Sequence, residues 1–279
     1  MILGLHVSIA GSIDKSVDRA VALNCKTFQI FTRNPRGWQF QDLKHEDMIS
    51  FKKKCKDNNI KFPIAHMPYL PNLASPKDEI YDKSTKTLTD ELSRCHSLGI
   101  PYLVTHLGSH LGKGTIYGIN RVIDACNIAL SNNKKSMILL ENTAGTKNSI
   151  GSTFENLKYI LDNTDNKKVG ICFDTAHAFA AGYDLRSNED VKRTMDLFDD
   201  IIGLEKIKVI HLNDSKVSFN SHSDRHQHIS LGYIGEHGFK AILKHKITKT
   251  RPLILETPVD SVRDDVGNLI KVKEIKDEN

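Results

Sequence analysis

SMILLE at residues 136–141 and KVGICFD at residues 168–174 are two short apolar runs, and each ends on a carboxylate residue. Between them, residues 153–161 carry apolar side chains at helical spacing and start with Thr-Phe-Glu, which is typical of a helix N-terminus. Strands that are apolar almost throughout are typical of a parallel sheet covered on both faces. The stretch therefore predicts a strand–helix–strand unit of parallel sheet.

The same alternation extends outward from this unit in both directions. Six more apolar runs occur, and helical spacing recurs between most of them, which favours a closed barrel with crossover helices. A (β/α)8 barrel needs roughly 250 residues. We therefore expect an α/β protein with one (β/α)8 TIM barrel as a single domain over residues 1–279. The further runs are ILGLHV (2–7), KTFQIF (26–31), KFPIAH (61–66), PYLVTH (101–106), KIKVIH (206–211) and PLILE (252–256), and the further helices are 14–23, 78–98, 115–130, 190–202, 238–243 and a last one after Asp260.

An open, doubly wound sheet is the structural alternative, but no G-x-G-x-x-G motif follows the first strand.

The hydrophobic fraction is 39% and the charged fraction 26%, as in ordinary globular proteins. No apolar stretch approaches the ~20 residues of a membrane span, so no membrane partner is expected. The net charge of +5 permits a polyanionic partner without requiring one.

The five cysteines are widely spaced and form no CxxC pair, which argues against disulfides and a thiolate zinc site. We expect free, buried thiols in the cytoplasm or another reducing compartment. The N-terminal apolar run has no basic segment before it, so no secretion signal is expected.

The third to eighth predicted strands all end on a residue that can bind a metal. The C-terminal ends of parallel barrel strands share one rim, where active sites lie, so these side chains should meet there. Any one of these histidines is more often structural, but clustered carboxylates and imidazoles are costly without compensating cations. The six residues are His66, His106, Glu141, Asp174, His211 and Glu256.

The loops add three candidates. His177 follows Asp174 by three residues, so both can face one pocket from a turn or a first helical turn. Asp224 and His226 share a side if their segment is extended. Imidazole and carboxylate donors without thiolate suit zinc, manganese or iron. Four carboxylates against three divalent cations would leave a positive surplus suited to phosphate, and multi-metal sites are known to hydrolyse phosphodiesters.

The strings AHMPYLPNLASP, VTHLGSHLGKG, LLENTAG, CFDTAHAFAAGYD, HLNDSK with SDRH, and LILET resemble the endonuclease IV family along nearly the whole chain. The resemblance implies a barrel with three zinc ions, with manganese or iron as alternatives at some positions. It assigns the first ion to His66, His106 and Glu141, which bridges to the second. Asp174, His211 and Glu256 complete the second site, and His177, Asp224 and His226 form the third.

The resemblance implies hydrolysis of the phosphodiester bond 5′ to an abasic site, leaving a 3′-hydroxyl and a 5′-deoxyribose phosphate, with trimming of blocked 3′ ends as a further activity. Zinc would lower the pKa of water to about 7, and Glu141 would be catalytic by orienting that water. The expected partner is double-stranded DNA containing abasic sites or blocked 3′ ends, and the expected oligomeric state is a monomer.

Arg36, Tyr69 and Leu70 match the residues with which the family fills the gap left by a flipped nucleotide. An apolar wedge inserted through the minor groove suits that task, whereas ordinary loop packing is the alternative interpretation. The matching residues for His6 and His110 are not ligands in the family. We assign His222, His228 and His237 to the surface or to loops, again without a metal role.

The chain departs from the family at Ser230, where the family usually has glycine, which puts the local loop shape in question. The main alternative function is a metal-dependent sugar isomerase or epimerase on the same barrel. It would use acids and a histidine from late strands but would need no third cation. A non-catalytic DNA-binding protein is the second alternative, although it would need no cluster of ligand-type residues.

Overall fold

The computed structural model describes residues 1–131, 135–165 and 167–278. Parallel strands form the central sheet, and a short antiparallel pair of strands lies beyond its C-terminal end. The strands are β1 (Ile2–Leu5), β2 (Gln29–Phe31), β3 (Ile64–His66), β4 (Tyr102–Thr105), β5 (Met137–Glu141), β6 (Val169–Asp174), β7 (Ile207–His211), β8 (Asp214–Ser215), β9 (His226–Gln227) and β10 (Pro252–Leu255).

The eight-stranded sheet has the order β1-β10-β7-β6-β5-β4-β3-β2. Its two end strands meet at an isolated parallel bridge between His6 and Gln29, where the amide of Val7 donates to the carbonyl of Gln29 at 2.8 Å. This contact nearly closes the sheet into a barrel. The prediction of a TIM barrel is therefore confirmed.

Helices cover the outside of the barrel. The helix α2 was not predicted, because Phe51 is its only buried residue and its remaining side chains give a weak apolar pattern. The helical turn considered after Asp174 is present and extends into the short helix α6. The helices are α1 (Lys15–Ala22), α2 (His45–Asp57), α3 (Asp78–Leu98), α4 (Thr115–Ser131), α5 (Phe154–Asp162), α6 (Thr175–Ala180), α7 (Asn188–Ile201), α8 (Gly235–Lys244) and α9 (Asp265–Asp277).

A separate apolar cluster fills the inside of the barrel, and we call it the floor. Each floor residue precedes a predicted metal-binding residue by two positions, and alternating strand side chains place residues i and i+2 on the same face. The six predicted strand-end ligands therefore lie on the inner face directly above the floor, and we call their layer the rim. The floor residues are Ile64, Val104, Leu139, Cys172, Val209 and Ile254.

All five cysteines are free, and four are buried as expected. Cys55 on α2 is only partly buried, so the expectation of burial is wrong at that position. Within the described ranges, no helix combines the length and the hydropathy that a membrane crossing would require.

Candidate metal centre

Glu141 lies at the centre of the rim and is fully buried. Its Oε2 atom is 3.1 Å from His66 Nε2 and 3.1 Å from His106 Nε2. Its Oε1 atom is 3.1 Å from His211 Nδ1. Imidazoles that follow or end three different strands thus approach both oxygens of one carboxylate, as a carboxylate shared between two cations would require.

The charged groups of the rim and of the neighbouring His177 shift one another's pKa values. Burial alone would raise the pKa of Glu141. The imidazoles of His106 and His211 have the larger, opposite effect, so the pKa lies well below its ordinary value. Burial alone would lower the pKa of His177. The carboxylates of Asp174 and Asp224 have the larger, opposite effect, so the pKa lies well above its ordinary value. Protons on the imidazoles therefore balance the carboxylates, and metal binding would displace those protons.

Potential ligand atoms form three compact groups among the described residues, and the atoms in each group lie within 4.8 Å of one another. Glu141 and Asp174 each belong to two groups, so the groups adjoin. The groups are His66 with His106 and Glu141; Glu141 with Asp174, His211 and Glu256; and Asp174 with His177 and His226.

Asp224 belongs to none of these groups, but it lies beside the last one. Its Oδ1 atom is 3.1 Å from His177 Nε2 and 3.8 Å from His226 Nε2. The pKa of Asp224 is lowered to about 2, because the effects of His177 and His226 exceed that of burial. The fold thus brings together all nine side chains that the sequence singled out.

Local structure orients the two histidines from the loops. Asp174 caps the N-terminus of α6 by accepting from the amide of His177 at 2.8 Å, and this places His177 in the first turn. β9 pairs with β8 and brings His226 back over the rim.

Backbone carbonyls accept hydrogen bonds from the Nδ1 atoms of three histidines, so in the neutral rings Nδ1 carries the proton and Nε2 keeps a lone pair that could bind a metal. His66 donates to Met67 at 2.7 Å, His177 to Asn142 at 3.0 Å and His226 to Glu256 at 3.1 Å. The Nε2 atom of His226 is buried and has no hydrogen-bond partner among the residues that the structure describes. An unpartnered buried acceptor among carboxylates fits a cation ligand.

Three amide side chains beside the rim were missed in the sequence. Asn213 donates to Asp174 Oδ2 at 2.8 Å and accepts from the amide of Glu256 at 2.8 Å. Asn142 accepts from the amide of Asp174 at 2.7 Å. Both follow strand ends closely, so they could have been found by looking past the terminal residue. Gln29 lies within β2 and gave no such signal.

Two adjoining cavities of about 310 and 340 Å³ open over the rim. Tyr69 lines both, and its side chain is 65% exposed. Leu70 is exposed and lines one of them. Arg36 is exposed on the neighbouring loop, where the carbonyl of Pro35 accepts from the amide of Tyr69 at 3.2 Å. The three residues predicted to contact DNA therefore lie on two linked loops beside the cleft.

The remaining histidines lie outside the three groups. His110 Nδ1 accepts from the amides of Gly112 and Gly114, so it stabilises its own loop. His222 and His237 are exposed as expected. His228 lies in a loop, as expected, but its side chain is buried there between Asp260 and Asn268, at 3.0 Å from each.

The loop that carries Ser230 keeps a conformation suited to glycine. Ser230 has φ of 70°, in the left-handed region. Beyond it, the carboxylate of Asp214 accepts from the amides of Gly232 at 2.9 Å and Ile234 at 3.0 Å. Serine in place of the family glycine therefore leaves the turn in place.

The fold and the rim define a TIM-barrel protein with a candidate centre for several cations. A family model described as Xylose isomerase-like TIM barrel matches residues 17–276. A probable endonuclease 4 of Nitrosopumilus maritimus is 53% identical over 277 residues, which is 98% of this chain and 99% of the relative. The crystal structure of endonuclease IV from Thermus thermophilus superposes with a TM-score of 0.90 at 34% identity, covering 100% of both chains.

The chain therefore belongs to the endonuclease IV family, which makes it a nuclease, and its rim carries residue clusters that could bind metal. A D-tagatose 3-epimerase-like protein has a TM-score of 0.73 at 20% identity, covering 100% of this chain and 96% of that one. Likeness at that level of identity shows the shared barrel alone.

Proposed function

We propose that this protein is a DNA-repair endonuclease that hydrolyses the phosphodiester bond 5′ to an abasic site with three bound zinc ions. The products would be a 3′-hydroxyl and a 5′-deoxyribose phosphate, and blocked 3′ ends would be further substrates. The observation that carries the proposal is the convergence of nine ligand-type side chains, of which Glu141 is one. Family membership supports the nuclease chemistry.

The donor set fits zinc. It consists of imidazoles and carboxylates without thiolate, it is divided into compact groups, and it includes the unpartnered His226 Nε2 atom. One ion would bind His66, His106 and Glu141. A second would bind Glu141, Asp174, His211 and Glu256, and a third would bind His177, Asp224 and His226. When bound, the ions would supply Lewis acidity toward phosphate and water.

The residues of the chain would hold and orient the reactants. Glu141 belongs to two adjoining groups and is approached by imidazoles at both oxygens, so we assign it the catalytic role of orienting a water held between those groups. The four carboxylates bring four negative charges, against six positive charges on three divalent cations. The remaining positive charge would attract a phosphodiester into the cleft.

The exposed loops beside the cleft would select a damaged duplex. Arg36, Tyr69 and Leu70 would enter the helix, with Tyr69 and Leu70 as the apolar wedge. Extruding a nucleotide costs a few kcal/mol, and the cost is lowest where base pairing is already lost. An abasic site is therefore a favourable substrate for this surface.

Incision of an end-labelled duplex carrying one abasic analogue tests this proposal. We expect a single cut 5′ to the lesion, loss of cutting with a strong chelator, and recovery with zinc. The same duplex without the lesion is the control. Failure to cut, or cutting that survives removal of all metal, would refute the proposal. Epimerisation of a ketose by the same preparation would favour the sugar-enzyme alternative, which needs only the Glu141, Asp174, His211 and Glu256 group.

A further inference from the structure

Gln29 is a buried amide at a position where the neighbouring strand is apolar. It is paired in register with the floor residue Ile64, and its side chain is fully buried. Its amide group nevertheless reaches the rim, where it contacts His211 and Glu256. A buried polar group in an apolar layer is costly unless its hydrogen bonds are satisfied, so these contacts account for its presence.

The orientation of the Gln29 amide follows from its partners. The nitrogen donates to Glu256 Oε1 at 2.7 Å and lies 3.0 Å from His6 Nδ1. A carboxylate can only accept, so the nitrogen must face Glu256 and the amide oxygen must face His211. That oxygen is 2.9 Å from His211 Nε2. Both amide hydrogens and the carbonyl oxygen are thus engaged.

These contacts determine which atoms of the rim remain available to a cation. An oxygen acceptor at His211 Nε2 requires a proton there, so the neutral ring presents the lone pair of Nδ1. Nδ1 is the atom that lies 3.1 Å from Glu141 and 3.2 Å from Glu256 Oε2. The hydrogen bond from Gln29 occupies Glu256 Oε1, which leaves Oε2 on the side of the ligand group.

We propose that Gln29 is a positioning residue for one cation site, because its amide sets the tautomer of His211 and the orientation of Glu256. This inference rests on the proposed function, in which Glu141, Asp174, His211 and Glu256 hold one ion. Gln29 also forms the backbone bridge with His6 at the barrel closure. Its side chain contacts the residue that ends β7 and the residues that directly follow β1 and β10.

Two substitutions of Gln29 test the role. Gln29→Met keeps the length of the side chain but removes all its hydrogen bonds, and Gln29→Asn keeps an amide that is too short to reach both partners. The matched control is Thr27→Val, which removes the 2.8 Å hydrogen bond that the buried Thr27 side chain donates to the carbonyl of Phe62 in the same region. Full-length zinc-loaded proteins are challenged with rising concentrations of a chromophoric chelator, and their folding is checked by circular dichroism.

In both Gln29 variants we expect one zinc ion per chain to be released about 10- to 100-fold more easily than in the wild type, with the other ions retained. Thr27→Val should retain zinc like the wild type. Folded Gln29 variants that hold zinc as tightly as the wild type would overturn the inference alone, as would equal loss from Thr27→Val. A wild-type protein that binds no zinc would overturn the proposed function, and this inference with it.

Discussion

The floor and the rim are adjacent layers of the same strands, yet their side chains have opposite chemistry. On β5, the floor residue Leu139 and the rim residue Glu141 are both fully buried and separated by one residue. The floor excludes water and stabilises the barrel, whereas the rim gathers charges that are stable only with cations or protons. On one strand, an inward-facing residue can therefore stabilise the fold while the next inward-facing residue supplies a group for binding or catalysis.

The largest effect should come from Glu141→Gln in the rim. The substitution keeps the shape of the side chain but removes the charge shared by three imidazoles. We expect cleavage of abasic duplex to fall by at least about 100-fold, while DNA binding in a gel-shift assay persists. Cleavage at the wild-type rate would refute the central position of Glu141.

Leu139→Ala, two residues earlier on the same strand, should show the opposite behaviour. Truncating a fully buried leucine leaves a cavity and lowers the free energy of unfolding by about 2–5 kcal/mol. Denaturant unfolding measures this loss, and metal analysis should show zinc content unchanged below the transition. Loss of zinc without loss of stability would break the distinction between floor and rim.

Acidification should release zinc from the rim. Burial lowers the pKa of His177, but nearby carboxylates raise it above the ordinary value of 6.5, so protons compete with the metal near neutral pH. Affinity should fall about tenfold per pH unit for each proton that binds. Metal content measured after dialysis at stepwise lower pH checks this, and full content at pH ~4 would contradict it.

Acidification from neutral pH should stabilise the fold of the metal-free protein, whereas it removes zinc from the loaded protein. A raised histidine pKa stabilises the fold below the unfolded value of 6.5, and the lowered pKa of Glu141 stabilises it above the unfolded value of 4.5. Stability without metal should therefore be greatest between these two values. Thermal melts across that range provide the comparison with the zinc-loaded form.

Removing the side chains of Tyr69 and Leu70 should reduce activity on duplex DNA without changing metal binding. Tyr69→Ala combined with Leu70→Ala deletes two exposed apolar side chains beside the cleft. We expect kcat/KM on abasic duplex to fall about tenfold, since one lost stacking contact costs roughly 1–3 kcal/mol. Zinc content should stay at the wild-type value. Unchanged kinetics would restore the interpretation of these residues as ordinary loop packing.

The smallest effect should come from Ser230→Gly, which tests a loop outside both layers. Glycine relieves the left-handed strain at φ 70° but gains entropy when the chain unfolds. The free energy of unfolding should rise by less than about 1 kcal/mol. Gly232→Ala is the contrasting variant, because a Cβ atom there would lie 2.3 Å from the Ser215 carbonyl oxygen, so it should destabilise. Destabilisation by Ser230→Gly would contradict this account of the turn.

The strand ends were predictable because each rim ligand ends or follows an apolar run, as His211 and Glu141 do. The starts of the strands were harder to predict. The strand β3 begins at Ile64 rather than Lys61, because Phe62 has φ of 49° and cannot be part of a strand. The role of Gln29 could not be predicted, because its partners His211 and Glu256 lie 182 and 227 residues away in sequence. The alternation of strands and helices predicted the barrel, but it does not show which side chains meet across the barrel once it has closed.

Zinc content per chain, measured by elemental analysis of the full-length protein purified without chelators, tests the multi-cation rim most directly. Three ions per chain would agree with ligand groups that share Glu141 and Asp174. One ion or none, in protein that is folded and supplied with zinc, would contradict the account.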